Sequence, residues 1–150
     1  MHDNGFEMTI GTRWTDIDLN QHMKNTAYSE LSTYVRSEWL ASRGFSIREL
    51  RKINFSPIIF EDSTKYIKEV FLGEHITVNI ESVGYKHDGS QWHVRHTFRR
   101  DGTVVAIHDV KGAWLDVAAR RIAAPPAGLL EAATNLPRTS DFAEIVSPAK

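Results

Sequence analysis

The chain has 150 residues, of which 41% are hydrophobic and 25% charged, and its formal net charge is −1 at pH 7. This length and composition suit one globular domain with a sizeable core. Because the sequence contains no cysteine, disulfides, thiolate nucleophiles and cysteine-based zinc sites are excluded, and the scattered positive charges argue against nucleic-acid binding.

Targeting and membrane signals are weak as well. The N-terminal residues do not show a basic region followed by an apolar one, as a signal peptide would. No apolar run approaches the roughly 20 residues that a membrane-spanning helix needs. We therefore expect a cytoplasmic protein with no membrane partner and a single domain over residues 1–150.

The first half of the chain predicts mostly helix. Apolar residues recur at helical spacing after residue 26, and Gly44 is a typical helix stop. Asn25 or Thr26 can cap the start of this helix. The predicted elements are a strand over 8–14, a polar loop over 15–24, a long helix to about Ser42 and a short helix over about 46–52.

The second half predicts strands. Asp101-Gly102 is a strong two-residue hairpin signal, and it pairs Arg100 with Thr103. Continued without interruption, this register places Phe98 opposite Val105 and His96 opposite Ile107, on a core face shared with Trp92 and Val94. The predicted strands cover 57–70 (one bent or two short), 75–85, 91–100 and 103–117. A brief helix over 127–133 follows, and the tail after about 135 is expected to be loosely held.

This order of elements predicts an α+β fold. One long central helix is wrapped by a curved antiparallel sheet of about five strands. Such a sheet leaves strand edges exposed, which are liabilities unless they are paired. We therefore expect a homodimer or homotetramer, in which two sheets meet across a twofold axis.

The segment from Thr15 to Tyr28 is the most informative for chemistry. It places Asp16, Asp18 and His22 just before a helix, whose first N–H groups are unpaired and carry partial positive charge. Such groups can polarise a carbonyl, which a nearby carboxylate can attack directly or through a water. Polar residues before a helix are also common caps and turn formers, and Asp16 is expected to be structural.

This segment resembles the active-site signature of hotdog-fold thioesterases. The group with 4-hydroxybenzoyl-CoA and acyl-CoA thioesterases carries Asp-x-Asp-x-x-Gly-His-x-Asn-Asn-x-x-Tyr, and the positions here are Asp16, Asp18, Gln21, His22, Lys24, Asn25 and Tyr28. Gln21 and Lys24 depart from that pattern, and Thr33 stands where many members have a glutamate. The resemblance extends from about Phe6 to Pro126.

A second resemblance is to acyl-ACP thioesterases, whose loop reads Asp-x-Asn-x-His. Asp18, Asn20 and His22 fill all three places. These enzymes also have a glutamate in a Tyr-x-x-Glu setting, which Tyr66 and Glu69 reproduce. An equally open alternative is that Glu69 is simply a solvent-facing strand residue.

The resemblance implies a thioesterase that acts on acyl-CoA or acyl-ACP, in fatty acid metabolism, without a cofactor. Asp18 is then the nucleophile or general base, and Asn20, His22 and Glu69 complete the catalytic set. Two alternatives remain open at this stage: a non-catalytic acyl-binding hotdog module, and a hotdog hydratase or dehydratase.

Four further residues are assigned to substrate binding. Asn25 and Tyr28 lie in the signature segment, although aromatic residues at helical spacing often belong to the core. Lys86 and Ser90 flank a turn that could touch a pantetheine or phosphate arm, although an ordinary exposed turn explains them as well. A metal site is not expected, because histidines 93 and 96 are three apart in a strand and point to opposite faces.

Overall fold

The computed structural model describes residues 5–146. A short 3₁₀ turn at Trp14–Asp16 separates the first strand from the first helix. No helix in the described range is long and apolar enough to cross a membrane. In chain order the elements are β1 (Glu7–Gly11), α1 (Asn25–Ser42), α2 (Ile47–Lys52), β2 (Phe55–Tyr66), β3 (His75–Asn79), β4 (Glu81–Tyr85), β5 (Gln91–Arg100), β6 (Thr103–Asp116), β7 (Arg121–Ile122) and α3 (Ala127–Thr134).

The strands form one seven-stranded antiparallel sheet in the order β1-β3-β5-β6-β2, with β4 beside β5 and β7 beside β6. The long helix α1 packs on this curled sheet through a stripe in which Ala27, Leu31 and Val35 recur every fourth residue and are buried. Full burial of each leucine or valine contributes roughly 1.5–3 kcal/mol. The predicted α+β architecture, with one long helix against a curved antiparallel sheet, is confirmed.

The hairpin of β5 and β6 contains a correction to the predicted register. Arg100 faces Thr103 as expected, but a bulge next to Phe98 adds one residue to β6. Phe98 therefore lies opposite Ala106, and His96 lies opposite His108. Because a shift of one residue exchanges the two faces of a strand, His108 takes the buried position that the sequence assigned to Ile107.

The tail contradicts the expectation that it is loosely held. The Ser82 N–H donates to the carbonyl of Pro137 at 2.8 Å, and the Ala143 N–H donates to the carbonyl of Val83 at 3.0 Å. Further along, the Ile145 N–H bonds the carbonyl of Tyr85 at 3.0 Å. The chain returns to β4 because that strand presents backbone groups that no other strand pairs.

Gly112 is a point of close approach between three strands. It lies directly opposite Ile59 of β2 and Trp92 of β5. A Cβ at this position would collide with the carbonyl oxygen of Ile58 and lie 2.5 Å from the Trp92 ring. The absence of a side chain at Gly112 therefore lets the Trp92 indole lie against the sheet.

Candidate active site

Asp16 anchors the loop that connects β1 to α1. Its buried carboxylate accepts hydrogen bonds from the Arg13 backbone N–H at 2.9 Å and from the Arg13 guanidinium at 2.8 and 3.0 Å. Burial alone would raise the pKa of Asp16, but the hydrogen bonds from Arg13 outweigh it and lower that pKa. With both oxygens engaged, Asp16 has the structural role that the sequence predicted.

Asp18 is held differently, by one oxygen only. Its Oδ1 accepts from the backbone N–H of Asn20 at 2.9 Å and from that of His22 at 3.2 Å. The side chain is exposed, and within residues 5–146 no hydrogen bond reaches Oδ2. This carboxylate is therefore fixed in direction while its second oxygen faces solvent.

The turn that brings His22 back to Asp18 depends on Gln21. The Gln21 N–H donates to the Asp18 carbonyl at 3.0 Å, and Gln21 has a φ of 66°. This left-handed conformation is the one that glycine adopts most readily. Gln21, at the position where the resembling signature has glycine, thus adopts a conformation that glycine also favours.

His22 joins this loop to the segment after β2. Its Nε2 lies 3.4 Å from a carboxylate oxygen of Glu69, and its ring meets the edge of Phe71 at 5.2 Å. The Met23 N–H donates to the Val70 carbonyl at 2.7 Å. Glu69, which is distant in sequence, thus lies beside the loop that carries Asp18 and His22.

Helix α1 begins at this surface without a side-chain cap. The N-cap is Lys24, whose side chain makes no capping bond, so the prediction of Asn25 or Thr26 as N-cap is wrong. The Asn25 side chain instead accepts from the Thr26 N–H at 3.0 Å, within the first turn. The lysine side chain cannot accept a hydrogen bond, so the partial positive charge of the helix start is not met by its N-cap residue.

The loop and the helix both lie within the part of the chain that a family model matches. The model of the thioesterase-like superfamily matches residues 12–133. The chain belongs to this superfamily. No curated protein matches its sequence.

Solved structures of similar fold support this placement of the thioesterase-like chain. A hypothetical protein from Staphylococcus aureus, solved in complex with CoA, has a TM-score of 0.80 at 22% identity and covers 97% of this chain and 96% of its own. A 1,4-dihydroxy-2-naphthoyl-CoA thioesterase from Synechocystis has a TM-score of 0.78 at 13% identity, covering 88% of this chain and 97% of its own. At these identities they establish the hotdog fold. Family and fold together support acyl thioester hydrolysis as the general activity.

Tyr28 lies in the core of this thioesterase-like domain. It is 3% exposed, and its ring packs edge-on against Tyr66 at 5.1 Å and Phe98 at 5.3 Å. Burial raises the pKa of Tyr28 to about 12. Its observed contacts are those of a core residue, and its predicted role in substrate binding stays a prediction.

Lys86 and Ser90 are not brought to the loop within one chain. The turn they flank precedes Gln91, whereas the loop lies at the Arg100 end of β5, where Arg100 donates to the Glu69 carbonyl at 2.6 Å. At 3.4 Å per residue the two ends of β5 are roughly 30 Å apart. The Ser90 hydroxyl is also buried and donates to Asp88 at 2.6 Å, so it closes its own turn.

A second group of polar residues was missed from the sequence. His108 Nδ1 lies 2.8 Å from the Ser32 hydroxyl, and His108 Nε2 lies 2.7 Å from a carboxylate oxygen of Asp62. We call this set the buried row. Ser32 and His108 are both almost fully buried, whereas the Asp62 side chain is 48% exposed. His108 points inward because of the bulge in the hairpin. The sequence carries no signal for this bulge, because a regular hairpin pattern does not reveal one.

The buried row resembles a hydrolytic serine, histidine and aspartate set only in composition. The Ser32 hydroxyl is enclosed between α1 and the sheet, so no carbonyl can approach it. Both ring nitrogens of His108 are already bonded. Among the described residues no group of three or more metal-binding side chains is found.

Proposed function

We propose that this protein hydrolyses acyl thioesters with Asp18 as the nucleophile or the general base. The observation that carries the proposal is the state of the Asp18 carboxylate. One oxygen is fixed by two backbone N–H groups and the other has no hydrogen bond in the described range, and the exposed loop that carries this carboxylate leads directly into α1, whose N-cap residue makes no side-chain capping bond. A carboxylate with a free oxygen and an adjacent positive helix terminus are the two groups that acyl transfer requires.

The reaction follows from these two groups. The thioester carbonyl oxygen rests on the N–H groups at the start of α1, which stabilise the negative charge that develops on it. Asp18 Oδ2 either adds to the carbonyl carbon, expelling the thiolate and leaving an anhydride that water cleaves, or removes a proton from a water that adds instead. Both routes give a free carboxylic acid and a free thiol.

The neighbouring side chains assist in this proposal. His22 is part of the same surface and its Nε2 points to Glu69, so the pair can orient a water or pass a proton to the leaving thiolate. The exposed Asn20 and Asn25 amides can bond the substrate from either side of the carbonyl. Ser90 is left out, because its hydroxyl already serves the turn.

Two observations bear on the carrier of the acyl group. A neighbour of the same fold was solved in complex with CoA, which favours acyl-CoA. The Asp-x-Asn-x-His spacing of the loop resembles acyl-ACP thioesterases, which keeps acyl-ACP as the second candidate carrier.

The proposed assembly is a homodimer through the edge of β2. This strand pairs only with β6 in the sheet, and Ile59, Phe60 and Tyr66 on it expose large apolar side chains. Such an edge is normally covered. A dimer mass by light scattering at micromolar concentration is expected, and a monomer mass would contradict it. Because Lys86 lies far from the Asp18 loop of its own chain, it could contact a substrate only in the partner's site.

A panel of thioesters tests the proposed function. Release of free thiol is measured for acyl-CoA and acyl-ACP substrates of graded chain length, together with an enoyl-CoA for the hydratase alternative. Hydrolysis of at least one thioester is the expected result. Acyl binding without thiol release would indicate the non-catalytic module, and hydration of the enoyl-CoA alone would indicate the hydratase.

A further inference from the structure

A cavity of about 210 Å³ lies between the second half of α1, the sheet and α3. It is separate from the Asp18 loop. The first residue of α1 that lines it, Thr33, is eight positions after Asn25, or about 12 Å at the rise of an α-helix. Nothing argued so far for thioester hydrolysis uses this space.

The walls of the cavity are mainly apolar and include four aromatic residues. Trp39, Trp92, Trp114 and Tyr85 all line it. An apolar cavity of about 150 Å³ in another protein holds one benzene molecule. This cavity therefore suits a single ring or a short alkyl chain with a small polar group attached.

Arg36 adds a positive charge to the same wall. It is partly buried, and its guanidinium bonds His96 Nε2 at 3.1 Å and the Thr33 hydroxyl at 3.0 Å. Burial lowers the pKa of Arg36 to about 10, and the charge of Asp62, which itself bonds His108, acts in the opposite direction. Within residues 5–146 no carboxylate forms a direct ion pair with Arg36, although charges withdrawn from water are normally paired.

His96 cannot supply the missing negative charge. Its Nδ1 donates to the Asn79 carbonyl at 2.8 Å, so its Nε2 is the acceptor for Arg36. Burial and the adjacent Arg36 lower the pKa of His96 to about 3, so the imidazole is neutral. Arg36 therefore remains a cation with two neutral partners.

We propose that this cavity binds a small apolar carboxylate. The ring or chain packs among the aromatic residues, and the carboxylate pairs with Arg36, as guanidinium and carboxylate groups do in two parallel hydrogen bonds. A cationic ligand would be repelled by Arg36, and a neutral ligand would form no ion pair with the guanidinium. The carboxylate comes either from a free acid or from the far end of an acyl group, and the second source rests on the proposed thioesterase function.

Tryptophan fluorescence gives a direct test. Trp14 is 81% exposed, and the other three tryptophans line the cavity, so Trp14→Phe protein reports mainly on this space. Phenylacetate is expected to bind saturably, and phenylacetamide and 2-phenylethylammonium at least about tenfold more weakly. Equal binding of the amide or the ammonium compound, or no saturable binding of phenylacetate, would overturn the proposal.

Variants locate the charge. Arg36→Gln is expected to weaken phenylacetate at least about tenfold and leave phenylacetamide unchanged, whereas the exposed Arg48→Gln changes neither. Should Arg36→Gln fail to fold, Arg36→Lys keeps the charge but loses the two parallel hydrogen bonds, and it should weaken phenylacetate by severalfold. Indole N–H resonances that shift on adding phenylacetate are expected in the parent protein. Unchanged affinity in every folded variant contradicts the assignment.

A pair of CoA thioesters distinguishes the two sources. For an acyl-group source, Arg36→Gln raises KM for a dicarboxylic monothioester but not for the monocarboxylic thioester of equal length. For a free-acid source, KM is unchanged for both while phenylacetate binding is lost. Failure of the thioesterase proposal would appear separately, as absent hydrolysis in protein that still binds phenylacetate.

Discussion

Two pairs of a histidine and a carboxylate lie at different depths in this protein. His22 and Glu69 meet at 3.4 Å on the exposed loop surface, whereas His108 and Asp62 meet at 2.7 Å, with the imidazole buried. The distance in the buried pair is shorter, and Ser32 also bonds the histidine. Both ring nitrogens of His108 are therefore occupied, and none is left for a substrate. The exposed pair adjoins a carboxylate with a free oxygen. Access and unused bonding capacity, and not residue type, decide which of the two can perform chemistry.

The comparison predicts that activity depends on the loop and stability on the buried row. Replacing Asp18 by Asn keeps its shape and hydrogen bonds but removes the charge. Turnover of the best thioester should fall at least about a hundredfold, a barrier change of about 3 kcal/mol, while thermal unfolding is unchanged. Asp101→Asn, on an exposed hairpin turn, is the matched control and should retain full activity. Wild-type rates in Asp18→Asn would remove the case for this residue.

His22 is expected to contribute less than Asp18. His22→Ala should lower kcat at least about tenfold, within the range of acid–base and orienting effects. The exposed His87 offers a control, since His87→Ala should leave kcat unchanged. Full activity of His22→Ala across pH 6 to 9 would show that the histidine only docks the loop on Phe71.

His96 should contribute to the pH dependence of folding. The pKa of His96 is lowered to about 3 by burial and by Arg36, so between pH 6.5 and 3 the unfolded chain binds a proton that the folded chain does not. The free energy of unfolding is then fully retained above pH 6.5 and falls by up to about 1.4 kcal/mol per pH unit below it. Denaturant titrations of wild type and His96→Gln should differ in this slope, and equal slopes would contradict the shift.

Ser32→Ala is expected to have the smallest effect of these substitutions, on stability and not on activity. Ser32→Ala leaves His108 Nδ1 without its partner, so the free energy of unfolding should fall by about 1 kcal/mol. Thiol release should stay within about twofold of wild type, because no substrate reaches this hydroxyl. A loss of activity as large as that of Asp18→Asn would mean that the buried row, and not the loop, is catalytic.

Local signals predicted the parts of the fold that local forces determine. The end of α1 at Ser42, the Asp101-Gly102 hairpin and the polar loop before the helix all follow from capping, turn and periodicity preferences. The superfamily could be recognised because its signature is contiguous around Asp18. Glu69 was assigned to the catalytic set by resemblance alone; its carboxylate lies 3.4 Å from His22, and its catalytic role stays a prediction.

Long-range pairings were the parts that could not be predicted. The bulge beside Phe98 coincides with the Val105 carbonyl, which accepts from Ile67 and Lys68 on another segment, and no pattern within the hairpin indicates this. The return of the tail to β4 likewise depends on which edge other strands leave free. Arg36 gave no signal because the sequence does not show that its guanidinium lines a cavity and has no direct ion pair.

Gly112 has a consequence for reading other sequences of the superfamily. A methyl group there would collide with both the Ile58 carbonyl oxygen and the Trp92 indole, so the backbone and the ring would both have to move. A relative with alanine or a larger residue at this position should therefore lack the aromatic wall in its present form, whatever its other residues are. The residue aligned with Gly112 thus predicts which relatives have both the cavity and the loop before α1, and which have the loop without the cavity.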